Sequence, residues 1–323
     1  MNRIGVLTSG GDSPGMNACI RSVVRHGMAR GMEVIGYRRG YEGLIDNDGI
    51  RMTSRSVSGI MQTGGTILQT ARSKRFLDPD VRAEMVQRLK ADGLDGLVVV
   101  GGNGSFRGAV ELVALGMPVA GVPASIDNDI GGTDMAVGVD TCLNTIISAV
   151  DKIKDTAGSL PRPFIIEVMG RKSGYLALLA GLACGAEMVV IPEEPVELQA
   201  LGKIIVDAYH RGKSMFICLV SEGATVTARE ITDYLKLHIP PEGGGPRLSI
   251  LGYIQRGGSP SAFDRILATR MGVAAVNALA DGQHSHMVGL NGNRITATPF
   301  LEAAAMTPTI EPGLSEMAVT LSQ

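Results

Sequence analysis

LVVVGGNGSFRGAVELVALGMPVAGVPASIDND, Leu97 to Asp129, is the stretch that decides the fold. Its apolar run Leu97-Val98-Val99-Val100 predicts a strand buried on both faces, and a glycine-rich turn follows before a helical pattern sets in at Phe106. Strand, glycine turn and helix together bare backbone N–H groups at a helix N-terminus, where an anionic phosphate is held well. A second apolar run, Pro118 to Val122, then brings Ser125, Asp127, Asn128 and Asp129 to a strand's carboxyl end, the edge at which open α/β sheets bind ligands.

The same alternation runs outward from this stretch. On its N-terminal side the spacing predicts strand Ile4–Thr8, the turn Ser9-Gly10-Gly11-Asp12-Ser13-Pro14-Gly15, helix Asn17–Arg30 and strand Glu33–Arg38. Gly40 to Leu44 reads as a loop, a short helical segment falls near Val57–Met61, and helix Val81–Ala91 feeds the central strand. On its C-terminal side a helix over Thr141–Asp155 leads to an irregular Pro161-Arg162-Pro163. Strands Phe164–Met169, Met188–Ile191 and Met215–Val220 then alternate with helices Gly174–Ala183 and Leu198–Tyr209. A loop at Glu242-Gly243-Gly244-Gly245-Pro246, strand Leu248–Ile254 and helix Ser261–Ala280 complete the pattern. Such alternation predicts an α/β protein with two doubly wound, Rossmann-like domains.

Composition narrows the class. At 323 residues the chain fits two domains of about 150 residues each. With 45% hydrophobic and 19% charged residues it is a globular sequence. Lys+Arg 30 against Asp+Glu 32 gives a net charge of -2, which speaks against broad electrostatic binding of nucleic acid. Cys19, Cys142, Cys184 and Cys218 sit in apolar segments without metal-ligand spacing, as reduced thiols of a cytoplasmic protein do. The N-terminus lacks a cleavable signal pattern, and no apolar run reaches the roughly 18 residues of a membrane span, so no membrane association is expected.

Individual motifs leave alternatives open. The Gly10–Gly15 turn has neither P-loop nor dinucleotide spacing and reads equally as a tight connection. The Gly102-Asn103-Gly104-Ser105 turn has one residue too many for a dinucleotide fingerprint, and the next strand ends in Gly121-Val122-Pro123 where that fingerprint wants an acid, which argues against a dehydrogenase. Asp127 and Asp129 form either a solvated, capping turn or a proton acceptor paired with a Mg²⁺ ligand, the pair phosphoryl transfer requires. Arg72 and Arg171, beside glycines at element ends, either are surface charges or meet a phosphate bidentately. Glu222 suits sugar hydroxyls or caps a helix, while Arg162, Arg247, Tyr253 and Arg256 form a candidate cationic pocket for a second phosphate.

GVLTSGGDSPGMNA, GGNGS, PASIDND, EVMGRKSGYLAL and GYIQRGGSPSAFDR, in that order and spacing, closely resemble the signature segments of the 6-phosphofructokinase family over most of Ile4 to Arg270. The resemblance implies transfer of the ATP γ-phosphoryl group to O1 of fructose 6-phosphate, with Mg²⁺, in a cleft between the two domains. It implies Asp127 as the base, with Arg72, Arg171 and Ser125 as its catalytic companions. Gly11, Tyr41, Arg72, Gly102, Asn103, Gly104, Ser105 and Arg107 would serve the nucleotide, and Asn103 and Asp129 the metal. Ser125, Asp127, Asp129, Met169, Gly170, Arg171 and Glu222 would hold the sugar, and Arg162, Arg247, Tyr253 and Arg256 its 6-phosphate. Arg162 and Arg247 would reach in from a neighbouring subunit, which implies a homotetramer or homodimer with shared sites. Residues 1–138 with 255–305 would form the nucleotide domain, and 139–254 with 306–323 the sugar-phosphate domain.

Three departures qualify the resemblance. The family's usual Asp in the second turn is Asn103 here, which removes a charge near Mg²⁺. Gly104 and Ala124 resemble the ATP users, whereas Tyr253 resembles many pyrophosphate users, so a pyrophosphate donor or another acceptor such as sedoheptulose 7-phosphate is the alternative. A sugar-phosphate sensor with a decayed metal site is a further one. Arg21, Arg25, Glu187, Arg211 and Lys213 match the family's effector site, but Ser54, Lys154, Ser214 and Met215 do not, and weak or altered allosteric control is expected.

Overall fold

The structure is a computed structural model that describes residues 1–159, 162–213, 215–239, 245–306, 308, 310–311 and 313–321. In chain order it contains β1 (Arg3–Ser9), α1 (Met16–Ala29), β2 (Glu33–Tyr37), α2 (Tyr41–Ile45), β3 (Gly49–Met52), α3 (Pro79–Ala91), β4 (Gly96–Gly101), α4 (Asn103–Ala114) and β5 (Val119–Pro123). There follow α5 (Val139–Ser159), β6 (Arg162–Val168), α6 (Tyr175–Cys184), β7 (Met188–Val190), α7 (Leu198–His210), β8 (Met215–Ser221), α8 (Ala228–His238) and β9 (Arg247–Ile250). The chain ends with α9 (Ala262–Ala280), β10 (His286–Asn291), β11 (Arg294–Pro299), α10 (Phe300–Ala305) and α11 (Leu314–Leu321). It divides into two compact units, Met1–Thr141 with Arg256–Pro308, and Cys142–Gln255 with Thr309–Gln323.

The first unit is built on a seven-stranded sheet in the order β11-β10-β5-β4-β1-β2-β3. Strands β10, β5, β4, β1 and β2 run parallel, and the antiparallel β3 and β11 finish the two edges. Ile4, Val6, Val98, Val100, Ala120 and Val122 meet Ile20, Val23 and Val24 of α1 and Leu267, Met271 and Val276 of α9 in one buried core. Each large aliphatic side chain removed from water there contributes about 2 kcal/mol. Helices α1 and α9 touch closely because Gly272 has no side chain: a Cβ there would lie 2.0 Å from Ser22 Oγ.

The second unit carries an all-parallel sheet, β7-β8-β6-β9, whose core joins Ile165, Cys218 and Val220 to Leu201 and Ile205 of α7 and Ile231 and Leu235 of α8. All four cysteines are free and buried, and burial pushes the Cys19 and Cys218 thiols up to about 12 and Cys184 to about 11. Among the described residues no helix is long and apolar enough to cross a membrane.

Several local expectations are corrected. The segment Val57–Met61 lies in turns rather than a helix, with Val57 tucked into the core as their anchor. Tyr41–Ile45 is a short helix, not a loop, and β3 lies in a stretch that carries no strand pattern. Helix α4 begins at Asn103 rather than at Phe106, where the helical pattern sets in, because the glycine-containing first turn carries no apolar periodicity to reveal it. The strand expected over 248–254 stops at Ile250, since Gly252, at φ 55, turns the chain into a 3₁₀ segment, Gly252–Arg256. The loop expected at Glu242-Gly243-Gly244 and the residue Ser214 lie outside the described residues.

Candidate active site

The first unit gathers two glycine turns at the carboxyl ends of β1 and β4. Gly101 has to be glycine, because a Cβ there would lie 2.4 Å from Ser9 O and 2.5 Å from Ser105 Oγ. Ser105 Oγ is buried at this junction, without a hydrogen-bond partner among the described residues. The N–H groups of Ser105 and Phe106 are spent on Gly102 O, at 2.9 and 3.1 Å, which leaves those of Asn103 and Gly104 at the open end of α4. Gly104 is exposed, and Arg107 Nη2 lies 3.8 Å from where its Cβ would be. Free amides, a helix N-terminus and a guanidinium here make a site for a phosphate.

Tyr41, expected near the nucleotide, packs against the first turns of α4. Its hydroxyl donates to Ser105 O at 2.5 Å, its ring stacks on Phe76 at 4.1 Å, and it is buried against Gly108. Burial raises its pKa, so it stays neutral and braces the first turn of α4.

The aspartate turn is equally constrained. Ala124 N donates to Gly101 O at 3.0 Å, Ser125 N to Val137 O at 3.2 Å, and Asp127 N to Ser125 Oγ at 3.2 Å. Asn128, at φ 49, holds the far side of the turn: its Oδ1 accepts from Ala136 N at 2.9 Å and its Nδ2 donates to Asp134 O at 3.1 Å. Asp127 is buried and Asp129 half-buried. Asn103 Nδ2 donates to Asp129 O at 2.8 Å, so the glycine turn and the aspartate turn meet. Among the described residues no group of three His, Cys, Asp or Glu forms a metal cage. The oxygen donors of Asn103 and Asp129 instead suit Mg²⁺, which takes one or two protein ligands and completes its shell with phosphates and water.

Arg72 lies exposed on a loop fastened to this same sheet edge. Thr8 Oγ1 donates to Gln69 O at 2.8 Å, and Asn17 makes four bonds to residues 63–67: Nδ2 to Thr63 O, Thr63 Oγ1 and Gly64 O, and Oδ1 from Ile67 N. Arg256 Nη1 lies 3.0 Å from where a Gly11 Cβ would be. Of the expected cationic residues, Arg256 belongs to the first unit, while Arg162, Arg247 and Tyr253 belong to the second.

In the second unit Met169, Gly170, Arg171 and Glu222 come together. Gly170 and Arg171 adopt φ 141 and 54, Arg171 N donates to Glu222 Oε1 at 2.9 Å, and Met169 N donates to Gln255 Oε1 at 3.1 Å. A Cβ on Gly223 would lie 1.6 Å from Arg171 O. Arg162 opens β6, with its Nε buried and lacking a hydrogen-bond partner among the described residues; Arg247 stands opposite Phe164 on β9, and Tyr253 is 78% exposed. Burial, with Glu222 nearby, raises the pKa of Glu167.

The expected effector residues belong to both units. Arg21 and Arg25 are on α1, and Arg211 and Lys213 follow α7; Glu187 accepts from Ile217 N of β8 at 2.7 Å and lies 3.8 Å from Lys213 Nζ, so its carboxylate has a structural task beside β8. Lys154 Nζ donates to Cys184 O, and Ser54 Oγ contacts Met28 Sδ.

Sequence reasoning passes over three supporting residues. Asn17 and Gln255 carry no motif of their own, although both lie inside signature segments. Buried Asp264 accepts from Gly138 N, Thr141 N and Thr141 Oγ1, and burial raises its pKa.

Parallel sheets with glycine turns and paired aspartates at their carboxyl edge define an α/β protein equipped for phosphorylated ligands. The Phosphofructokinase family model matches residues 3–279. An ATP-dependent 6-phosphofructokinase of Thermotoga neapolitana is 51% identical over 323 residues, all of both chains, and one of Thermus thermophilus is 49% identical over 324 residues, again with full coverage of both. The solved structure of phosphofructokinase from Saccharomyces cerevisiae superposes with a TM-score of 0.88 at 35% identity, covering 100% of this chain and 48% of that one. The chain belongs to the phosphofructokinase family.

Proposed function

We propose that the chain is an ATP-dependent 6-phosphofructokinase of the cytoplasm that converts fructose 6-phosphate to fructose 1,6-bisphosphate. The observation that carries this reading is buried Asp127 at the end of β5, in a turn joined by Asn103 to the phosphate-ready N-terminus of α4. Asp127 takes the proton from the sugar's 1-hydroxyl as O1 bonds to the γ-phosphorus and the bond from that phosphorus to the bridging oxygen of ADP breaks. The amides of Asn103 and Gly104, with Arg107, hold donor phosphate, and Arg72 and Arg171 offset charge on the transferred group. Mg²⁺, held by Asp129 and Asn103, supplies further charge neutralisation. Arg162, Arg247, Tyr253 and Arg256 bind the 6-phosphate, and Met169, Gly170 and Glu222 the sugar.

In this reading residues 1–138 with 255–305 serve the donor, residues 139–254 with 306–323 serve the sugar phosphate, and a homotetramer or homodimer completes each site. Gly104 and Ala124 leave room for a nucleotide, which favours ATP over pyrophosphate. Effector control through Arg21, Arg25, Glu187, Arg211 and Lys213 is weak, because Glu187 is already engaged with the backbone.

A matrix of ATP and pyrophosphate against fructose 6-phosphate and sedoheptulose 7-phosphate tests the assignment. Turnover fastest with ATP and fructose 6-phosphate is expected. Preference for pyrophosphate, or no product with any pair, overturns it.

A further inference from the structure

Asn103 does more than face the donor. It is the first residue of α4, so its backbone is fixed by the helix, and its side-chain N–H reaches across to the carbonyl of Asp129, two residues beyond Asp127. The aspartate turn is pinned on its near side by Ala124 N to Gly101 O and on its far side by the Asn128 bonds to residues 134 and 136. The Asn103 bond, at 2.8 Å, closes the remaining side, between the donor-phosphate turn and the end of the Asp127-Asn128-Asp129 run.

We infer that Asn103 is a positioning residue for Asp127, acting through its amide hydrogen on the Asp129 carbonyl and so coupling the phosphate-binding first turn of α4 to the base. This rests on the function proposed above and adds a role that the amide oxygen alone does not supply. The chemistry is decisive at this position. A carboxylate in the same place has no hydrogen to give and would set two oxygens against each other at hydrogen-bonding distance, so it would rotate away and release the turn. An alanine simply leaves the carbonyl to water. Asn103 thus exchanges a negative charge near the metal for a mechanical tie on the catalytic turn.

The test compares full-length wild type with Asn103→Asp and Asn103→Ala by amide hydrogen exchange over residues 126–131 and by kinetics across a Mg²⁺ titration. Both variants are expected to exchange about tenfold faster over that segment, with β1 and β4 as protected as in wild type. Both should also lose about tenfold in kcat at saturating Mg²⁺ while KM for fructose 6-phosphate stays within about twofold. A residue acting only toward the metal predicts another pattern: unchanged exchange, with full kcat restored in Asn103→Asp once Mg²⁺ saturates. Either of those results overturns the inference. Should the aspartate variant fold poorly, Asn103→Ser, too short to reach Asp129 O from the same backbone, takes its place with the same expected exchange. The exchange readout needs no substrate, so a wild type without phosphofructokinase activity would sink the proposed function and leave the tie standing.

Discussion

Replacing Asn17 by Ala should loosen the Arg72 loop without unfolding the sheet beneath it. The Asn17 amide serves three acceptors with its Nδ2 and one donor with its Oδ1, from a position 1% exposed. Two amide hydrogens shared by three acceptors count as two bonds, and with the Ile67 N–H this makes about three bonds at about 1 kcal/mol each. Thr63 and Gly64 are exposed or half-exposed and rehydrate, which reduces the net loss to about 2 kcal/mol. That corresponds to about 30-fold more frequent local opening. Amide exchange over residues 63–68 should accelerate by that factor while β1 and β4 keep their protection, and KM for ATP should rise because Arg72 follows the same loop. Asn17→Asp keeps the acceptor for Ile67 N–H but sets a carboxylate oxygen against the carbonyls of Thr63 and Gly64, so it should open at least as often. Wild-type exchange over 63–68 in a folded Asn17→Ala protein would refute the reasoning.

Other expectations follow from the same geometry. Asp127→Ser should lower kcat by about 10³-fold with fructose 6-phosphate binding retained; full turnover would remove its role as base. Tyr41→Phe removes the bond to Ser105 O and should cost about 1 kcal/mol in denaturant unfolding, with a modest rise in KM for ATP; no change in either would show that α4 needs no brace there. Gly223→Ala cannot keep the Arg171 turn, given the 1.6 Å approach to Arg171 O, and kcat/KM measured for fructose 6-phosphate should fall at least tenfold. Asp264 has a folded pKa above its ordinary 3.8, so its protonated form is favoured by folding. Its contribution to stability is therefore fully present below that ordinary value and is lost as pH rises through the folded pKa. Urea midpoints across this range should show that decline in wild type and lack it in Asp264→Asn.

The fold was legible because buried parallel strands are written as unbroken apolar runs. Leu97–Val100 and Ile4–Thr8 are such runs, and glycines mark their ends. The edges were harder: β3 is mostly exposed and carries no alternation, and β11 pairs only on one side. The glycine and aspartate turns could be read as candidate ligand-binding turns, with a tight connection and a capping turn as their alternatives, because both follow buried strands at the carboxyl edge. The tie from Asn103 to Asp129 O could not, since it joins a side chain to a backbone atom 26 positions away. Nor could the commitment of Glu187 to Ile217 N, because a charged residue looks the same in sequence whether it faces solvent or braces a strand.

The interior placement of Cys19, Cys142, Cys184 and Cys218 has a practical sequel. Buried thiols, three of them, Cys19, Cys184 and Cys218, also pushed up in pKa by burial, react slowly with maleimides and with peroxide near neutrality. A single cysteine introduced on the surface of either unit could thus carry a fluorophore against a low background in an otherwise natural chain. Pairs of such labels, one per unit, would report whether substrate changes the distance between them.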